Sequence, residues 1–112
     1  MSFTGEFQAI AAQYGQEVVL LSDGEELGRG LAVLRPLLDR EKQFLPTELG
    51  VWRREQVLCL GQASLPFGSR PGGVVLQAGE EAYDVVNARL VEIGRERIYW
   101  RAVLARREEE RP

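Results

Sequence analysis

The first apolar positions of the chain follow the period of one helix face. They recur at spacings of three and four residues, which predicts a helix over residues 3–14. The apolar stripe consists of Phe3, Phe7, Ile10, Ala11 and Tyr14. Thr4 is placed to cap the start of this helix and Gly15 to end it. Because a helix of about three turns is marginal alone, we expect the stripe to dock on the segments that follow.

Segments with strand character follow at a spacing of roughly ten residues. They are rich in β-branched and apolar residues, and polar or glycine-containing turns separate them. The segments are residues 17–22, 28–38, 51–60, 73–77, 82–93 and 97–104. Pro36 cannot donate to a strand ladder, so we expect it at an edge, a bulge or the end of pairing. The pattern of residues 82–93 predicts one strand whose side chains alternate without interruption between two faces, with the odd-numbered residues on one face.

These patterns predict a mainly β fold, namely a small antiparallel β-barrel, or a sandwich, of five to six strands with one short N-terminal helix. We favour the barrel because closing a sheet on itself hides its edges, and the helix then plugs one mouth or covers one side. A chain of 112 residues fits one domain. We divide residues 1–112 into a helix at 3–14, a barrel at 17–104 and a charged, solvated tail at 105–112.

Two predicted loops carry large apolar side chains. The first, residues 39–50, is unusually long for a compact domain. Its apolar side chains are Phe44, Leu45 and Leu49. They either pack back on the core or present anchors to a partner, and the sequence leaves both open. The second loop, residues 65–73, is rich in glycine and proline and has Phe67 near its tip, so we expect it to be exposed.

The composition removes most catalytic chemistry. The chain has no histidine, so the commonest general base and metal ligand are missing. Cys59 is the only cysteine, which excludes an internal disulfide and a cysteine-based zinc site; within an apolar run we expect it to pack as a small hydrophobe. The acidic pairs at residues 25–26 and 80–81 lie in predicted turns, where solvated charge is the simplest interpretation. We therefore expect no enzyme, no catalytic residue, no cofactor and no metal.

Charge and targeting signals narrow the partners and the location. The 14 basic and 17 acidic residues give a net charge of −3, which lacks the basic excess typical of nucleic-acid binding. Exposed aromatic side chains on a small barrel can stack single-stranded bases, and the candidates here are Tyr83, Tyr99 and Trp100. No signal peptide and no run of about 20 apolar residues is found, so we expect a cytoplasmic protein outside the membrane.

The second half of the chain resembles small structural proteins of tailed phages and prophages. Three segments carry the resemblance: Val57-Leu58-Cys59-Leu60-Gly61, Gly79-Glu80-Glu81-Ala82-Tyr83-Asp84-Val85-Val86, and Ile98-Tyr99-Trp100-Arg101-Ala102-Val103-Leu104. In that class a glycine, polar residues and a Tyr-x-Val strand precede a turn and a last strand with a Tyr-x-x-Ala-x-Leu-like pattern. Residues 50–104 are similar to the β-barrel head–tail connector, stopper and completion proteins.

The resemblance implies a role in virion assembly without catalysis. Identical copies would form a ring at the head–tail joint or tail end and contact other virion structural proteins, with nucleic acid present only as passing DNA. The two loops would be the working parts, with Phe44, Leu45, Leu49 and Phe67 as apolar anchors and Arg70 as a polar one. The protein would be made in the host cytoplasm and become a virion component. The alternatives are a protein-binding or regulatory small β-domain and a single-stranded nucleic-acid-binding barrel.

Overall fold

The computed structural model describes residues 3–38, 45–47, 50–52, 55–68 and 73–107, and for residues 45–47 and 50–52 it describes the backbone alone. Within these residues the chain forms one helix and eight strands. They are α1 (Phe3–Tyr14), β1 (Gln16–Ser22), β2 (Glu25–Pro36), β3 (Leu45–Thr47), β4 (Gly50–Trp52), β5 (Gln56–Gln62), β6 (Val74–Ala78), β7 (Glu81–Ile93) and β8 (Glu96–Arg106). No helix in this part of the chain is long and apolar enough to cross a membrane.

Six strands close into an antiparallel barrel in the order β1-β2-β5-β8-β7-β6. The predicted mainly β fold, with an antiparallel barrel and one N-terminal helix, is therefore confirmed, and the sandwich alternative falls away. Pro36 is the last residue of β2 and ends its pairing with β5, as its missing N–H predicts.

β3 and β4 pair with each other and form a separate two-stranded sheet. They occupy part of the region where the sequence predicts a loop over residues 39–50 and one strand over residues 51–60. Those boundaries are wrong, because the short strands pair locally and β5 begins only at Gln56. The barrel strand is thus shorter than its apolar pattern indicates.

β5 is buried on both of its faces, which explains its nearly continuous apolar sequence. Cys59 has no exposed surface and belongs to the cluster that fills the barrel interior, so its predicted core packing is confirmed. On the outer surface of the barrel, Leu58 packs with Leu37 and Val103. The outer cluster shows that this side of the sheet also has a hydrophobic cover.

The pairing of β7 with β8 contains a bulge that interrupts the predicted alternation of residues 82–93. The register shifts between Val85 and Asn87, which leaves Val86 as the extra residue. Val85 packs on the interior cluster before the bulge, and Ala88 does so after it. The inward face therefore changes from odd to even positions, and the prediction of one odd-numbered face is wrong.

α1 covers one side of the barrel and does not plug a mouth. Phe7 and Ala11 lie one turn apart and pack with Ile98 and with the outward side chains Leu31 and Leu60. Phe7 also stacks on the Tyr99 ring, with 5.1 Å between the ring centroids. These contacts fix the helix across β2, β5 and β8.

The N-terminus of α1 receives its cap from another element. Thr4 lies inside the first turn, where its hydroxyl donates to the carbonyl of Arg97 at 2.7 Å, so the predicted capping role of Thr4 is wrong. Its backbone N–H donates to the carboxylate of Glu96 at 2.8 Å, across the start of β8. This hydrogen bond lowers the pKa of the Glu96 carboxyl.

The barrel extends further towards the C-terminus than the sequence predicts. β8 ends at Arg106, whose guanidinium contacts the carboxylates of Glu55 at 3.1 Å and Glu81 at 2.6 Å. The N–H of Arg107 donates to the carbonyl of Ala82 at 2.9 Å. Residues 105–107 are therefore tied to the barrel, which corrects the predicted start of the tail, and residues 108–112 lie outside the described residues.

Candidate interaction surfaces

The predicted assembly anchors fall mainly in parts of the chain that the structure leaves undescribed. Phe44, Leu49 and Arg70 lie outside the described residues. The backbone of Leu45 opens β3, and nothing is described of its side chain. Only Phe67 can be placed as a side chain, and its position differs from the expectation.

Phe67 is buried with 4% of its surface exposed, so the prediction of an exposed loop tip is wrong for this residue. Directly after β5 the chain folds back, with the N–H of Leu65 donating to the carbonyl of Gln62 at 3.0 Å. Leu65 and Phe67 then join the interior cluster. The indole N–H of Trp100 donates to the carbonyl of Ala63 at 3.2 Å, and its ring lies 5.7 Å from that of Phe67. We call residues 63–68 the plug.

Glycines on the inward face of the barrel make room for the plug. A Cβ at Gly61 would lie 2.9 Å from side-chain atoms of both Leu65 and Phe67, and one at Gly30 would lie 3.1 Å from Leu65. Neither glycine has a positive φ, so neither is required by a turn. The pairing of small inward residues with apolar loop residues is the sequence signal that could have revealed the plug.

The thiol of Cys59 has no exposed surface in the folded protein. Burial raises the pKa of its thiol to about 12. The reactive thiolate is therefore essentially absent at neutral pH. Among the described residues, no three His, Cys, Asp or Glu side chains are grouped so that they could hold a metal ion.

The acidic pairs in the turns do not form a carboxylate dyad. Glu26 forms an ion pair with Arg29, which lowers the pKa of the Glu26 carboxyl chiefly through the hydrogen bond from the guanidinium. Glu81 pairs with Arg106 on the other side of the barrel. Both ion pairs, Glu26–Arg29 and Glu81–Arg106, are solvent-exposed, so they contribute little to the stability of the fold.

The three aromatic side chains proposed as base-stacking platforms are all used in packing. Tyr99 is stacked on Phe7, and Trp100 contacts Phe67 while its N–H is bonded to the plug. Tyr83 packs against the interior cluster. A single strand that stacked on Tyr99 or Trp100 would have to displace α1 or the plug.

α1 carries a second apolar stripe that faces solvent. Phe3, Ile10 and Tyr14 are 49%, 50% and 68% exposed, so the prediction that the whole stripe docks is wrong for these three. They lie two turns and one turn apart along the helix, beside the buried line of Phe7 and Ala11. We call Phe3, Ile10 and Tyr14 the α1 surface.

Ile93 extends the apolar character beyond the helix. It is 49% exposed and pairs with Glu96 across the β7–β8 turn. Cross-strand partners lie on the same face of a sheet, and Glu96 reaches the first turn of α1. Ile93 therefore lies on the face of the hairpin that carries α1.

Among the residues that the structure describes, no strand lies beside one edge of β7 over residues 87–93. β6 pairs with β7 only from Glu81 to Asp84. Over residues 87–93, β7 pairs with β8 on one side, and nothing in the described part of the chain hydrogen-bonds to its backbone on the other. An antiparallel ladder directs the N–H and C=O groups of alternate residues away from the neighbouring strand. This segment, the β7 edge, therefore presents backbone donors and acceptors that have no partner within the described ranges.

An open cavity of about 380 Å³ lies on the outer surface near the β1–β2 turn. Leu21 and Val75 form its apolar floor, and Asp23, Asp84 and Arg107 are its charged residues. The Arg107 guanidinium lies 3.5 Å from the Asp84 carboxylate and pairs with it. The cavity therefore shows no convergent set of unpaired polar groups.

Fold and surfaces together define a small closed antiparallel barrel with a filled interior, an exposed helix stripe and an unpaired strand edge. Comparison with protein-family models, with curated proteins and with solved structures found no match for this chain.

Proposed function

We propose that the chain is a non-enzymatic structural protein of a tailed phage or prophage. It acts at the head–tail joint or the tail end, through ring-type contacts with copies of itself and with other virion proteins. The observation that carries the proposal is the α1 surface, where three large apolar side chains in one line are between 49% and 68% exposed. Exposed apolar patches on small soluble domains mark contacts with other proteins. The resemblance of residues 50–104 to head–tail connectors supports the phage context.

The α1 surface is suited to binding because its supporting contacts are already made. Phe7 and Ala11 anchor the helix on the barrel, and Glu96 caps its first turn. A partner would therefore meet a preorganised surface and would not have to order the helix. Burying an Ile side chain fully is worth about 1.5–3 kcal/mol, so covering the exposed half of Ile10 would contribute about 1 kcal/mol.

The chemistry of the described residues supports a role without catalysis. The only thiol is buried, with its pKa raised to about 12, and the sequence contains no histidine to activate a nucleophile. Of the turn carboxylates, Glu26 and Glu81 are paired with arginines on different sides of the barrel. A protein that works through contact surfaces needs none of these groups.

A concentration series tests the proposed contact surface. We expect light scattering on the purified chain to show a mass that rises with concentration, and Ile10→Glu to weaken association about tenfold or more because it places a charge in the stripe. Ala9→Glu is the matched control, since it adds the same charge at an exposed position on the far side of α1. If both variants associated equally well, the α1 surface would be rejected as the contact between copies.

Gene neighbourhood and DNA binding distinguish the phage role from its alternatives, and a deletion tests the predicted anchors. Neighbouring genes for a portal, a capsid or a tape-measure protein favour the virion role, whereas a lone gene or a fused domain favours a general protein-binding domain. Deleting residues 42–47 tests the predicted anchors Phe44 and Leu45: the proposal expects a folded protein that no longer assembles. A salt-sensitive shift with single-stranded DNA would instead support nucleic-acid binding.

A further inference from the structure

We propose that the β7 edge is a self-association site, at which two copies of this chain pair their β7 strands antiparallel about a two-fold axis. The resulting sheet would run continuously from β8 and β7 of one copy into β7 and β8 of the second. This inference does not rest on the phage role, because it follows from the backbone and the side-chain order of one strand.

The backbone of the β7 edge recognises another strand. Over residues 87–93 β7 pairs with β8 on one side, with one register shift between Val91 and Glu92, and the opposite side has no partner among the described residues. Natural sheets cover, shorten or charge such edges because an open edge templates pairing. This edge contains no proline; its charged residues are Arg89 and Glu92, and Leu90, Val91 and Ile93 make up much of the rest.

A second copy is the occupant that fits best because the edge is self-complementary. An antiparallel pair related by a two-fold axis places the same surface on both sides and closes at two copies. For the two copies to share one continuous sheet face, an odd-numbered residue of one β7 must lie opposite an odd-numbered residue of the other. The two-fold axis therefore passes through one residue of β7 and not between two residues. The identity of that residue fixes which side chains lie opposite each other.

The charged residues of β7 favour two of the four central registers. A centre at Arg89 or at Glu92 would place like charges directly opposite each other, which is unfavourable. A centre at Leu90 or at Val91 places an apolar side chain against its own copy. With the centre at Leu90, Arg89 faces Val91 of the second copy; with the centre at Val91, Arg89 faces Ile93. Both allowed registers cover apolar side chains.

The substitution Val91→Lys opposes both allowed registers. It places a lysine opposite Arg89 when the centre is Leu90, and opposite another lysine when the centre is Val91. Like-charge pairs at these positions should weaken the dimer by a factor of about 2–30. Gln77→Lys is the control, because it adds a positive charge at an exposed position of β6, which is paired on both sides.

The substitution Val91→Glu separates the two registers. With the centre at Leu90 the new carboxylate faces Arg89 of the second copy and association is kept or strengthened. With the centre at Val91 two carboxylates face each other and association weakens. Circular dichroism on each variant checks that the barrel is folded.

The experiment is sedimentation equilibrium combined with amide hydrogen exchange across a concentration series of the full chain. We expect a monomer–dimer equilibrium in which alternate amides of residues 87–93 gain protection as the dimer forms, with Val91→Lys weakened and Gln77→Lys unchanged. A chain that stays monomeric up to about 1 mM would overturn the inference. So would a dimer whose β7 amides remain unprotected, or protection that appears only when a different protein is added.

Discussion

The substitution Phe67→Ala distinguishes two hypotheses for this residue: a buried core side chain and an exposed assembly anchor. The ring is 4% exposed, lies 5.7 Å from the Trp100 ring, and fills the space that Gly61 leaves at the end of β5. Phe67→Ala removes the ring and leaves a cavity bounded by the barrel interior. The plug then loses one of its two buried anchors, and Leu65 alone remains inside.

The magnitude follows from burial. Removing a buried phenylalanine ring in a core costs about 3–5 kcal/mol, against a total of about 5–15 kcal/mol for a domain. Each 1 kcal/mol shifts the Tm of a domain of about 100 residues by about 4–8 °C, so we expect a decrease of at least about 12 °C. Ile10→Ala is the control: Ile10 is 50% exposed, so the change removes only about half of a buried side chain's contribution and should cost about 1 kcal/mol.

Thermal and urea unfolding of dilute protein, followed by circular dichroism, measure both variants. We expect a loss of about 3–5 kcal/mol for Phe67→Ala and of only about 1 kcal/mol for Ile10→Ala. A Phe67→Ala protein that melts like the wild type but no longer associates would refute the plug and restore Phe67 as an exposed anchor.

Three further predictions follow from the packing. Cys59 should react with thiol reagents only at the rate of unfolding, because its pKa is raised to about 12; rapid labelling of the native protein would contradict its burial. Glu96→Gln should weaken the cap on α1. The pKa of Glu96 is lowered in the folded protein below its ordinary value of 4.5. The ionised Glu96 carboxylate therefore stabilises the fold fully above about pH 4.5, and this stabilisation is lost as the pH falls through the lower pKa of the folded state. The variant should therefore show a flatter acid limb in urea titrations, and an unchanged limb would remove Glu96 from this role. Gly61→Ala should destabilise the plug, because its Cβ would lie 2.9 Å from Leu65 and Phe67; a neutral melt would show that the plug can shift without cost.

Local patterns in the sequence predict most of the barrel. Periods of 3.6 and 2 residues locate α1 and the barrel strands, and the proline at position 36 marks the end of β2. These features depend on neighbours in the chain, which the sequence displays directly. The choice of a barrel follows from the short strands and the need to hide edges.

Features that depend on distant contacts could not be predicted in the same way. Phe67 stands in a Gly/Pro-rich loop, and its burial depends on the space that Gly61 leaves in β5. The bulge at Val86 changes which face of β7 points inward, although the residue types continue to alternate. Glu96 caps α1 from 92 residues away.

The two candidate surfaces also depend on contacts between distant parts of the chain, so the sequence alone could not predict them. Ile10 and Tyr14 belong to an amphipathic stripe that predicts docking, but the barrel offers room only for the neighbouring line of Phe7 and Ala11. The β7 edge depends on how far β6 extends along β7, which no local pattern records. Exposure and edge status are properties of the assembled barrel.

Quantitative mass spectrometry of purified particles tests the proposed role most directly. Particles released after induction of a host strain that carries this gene should contain the chain in several copies per particle, as a ring at the head–tail joint or tail end requires. Finding the protein abundant in the lysate but absent from the particles would contradict the virion-assembly proposal.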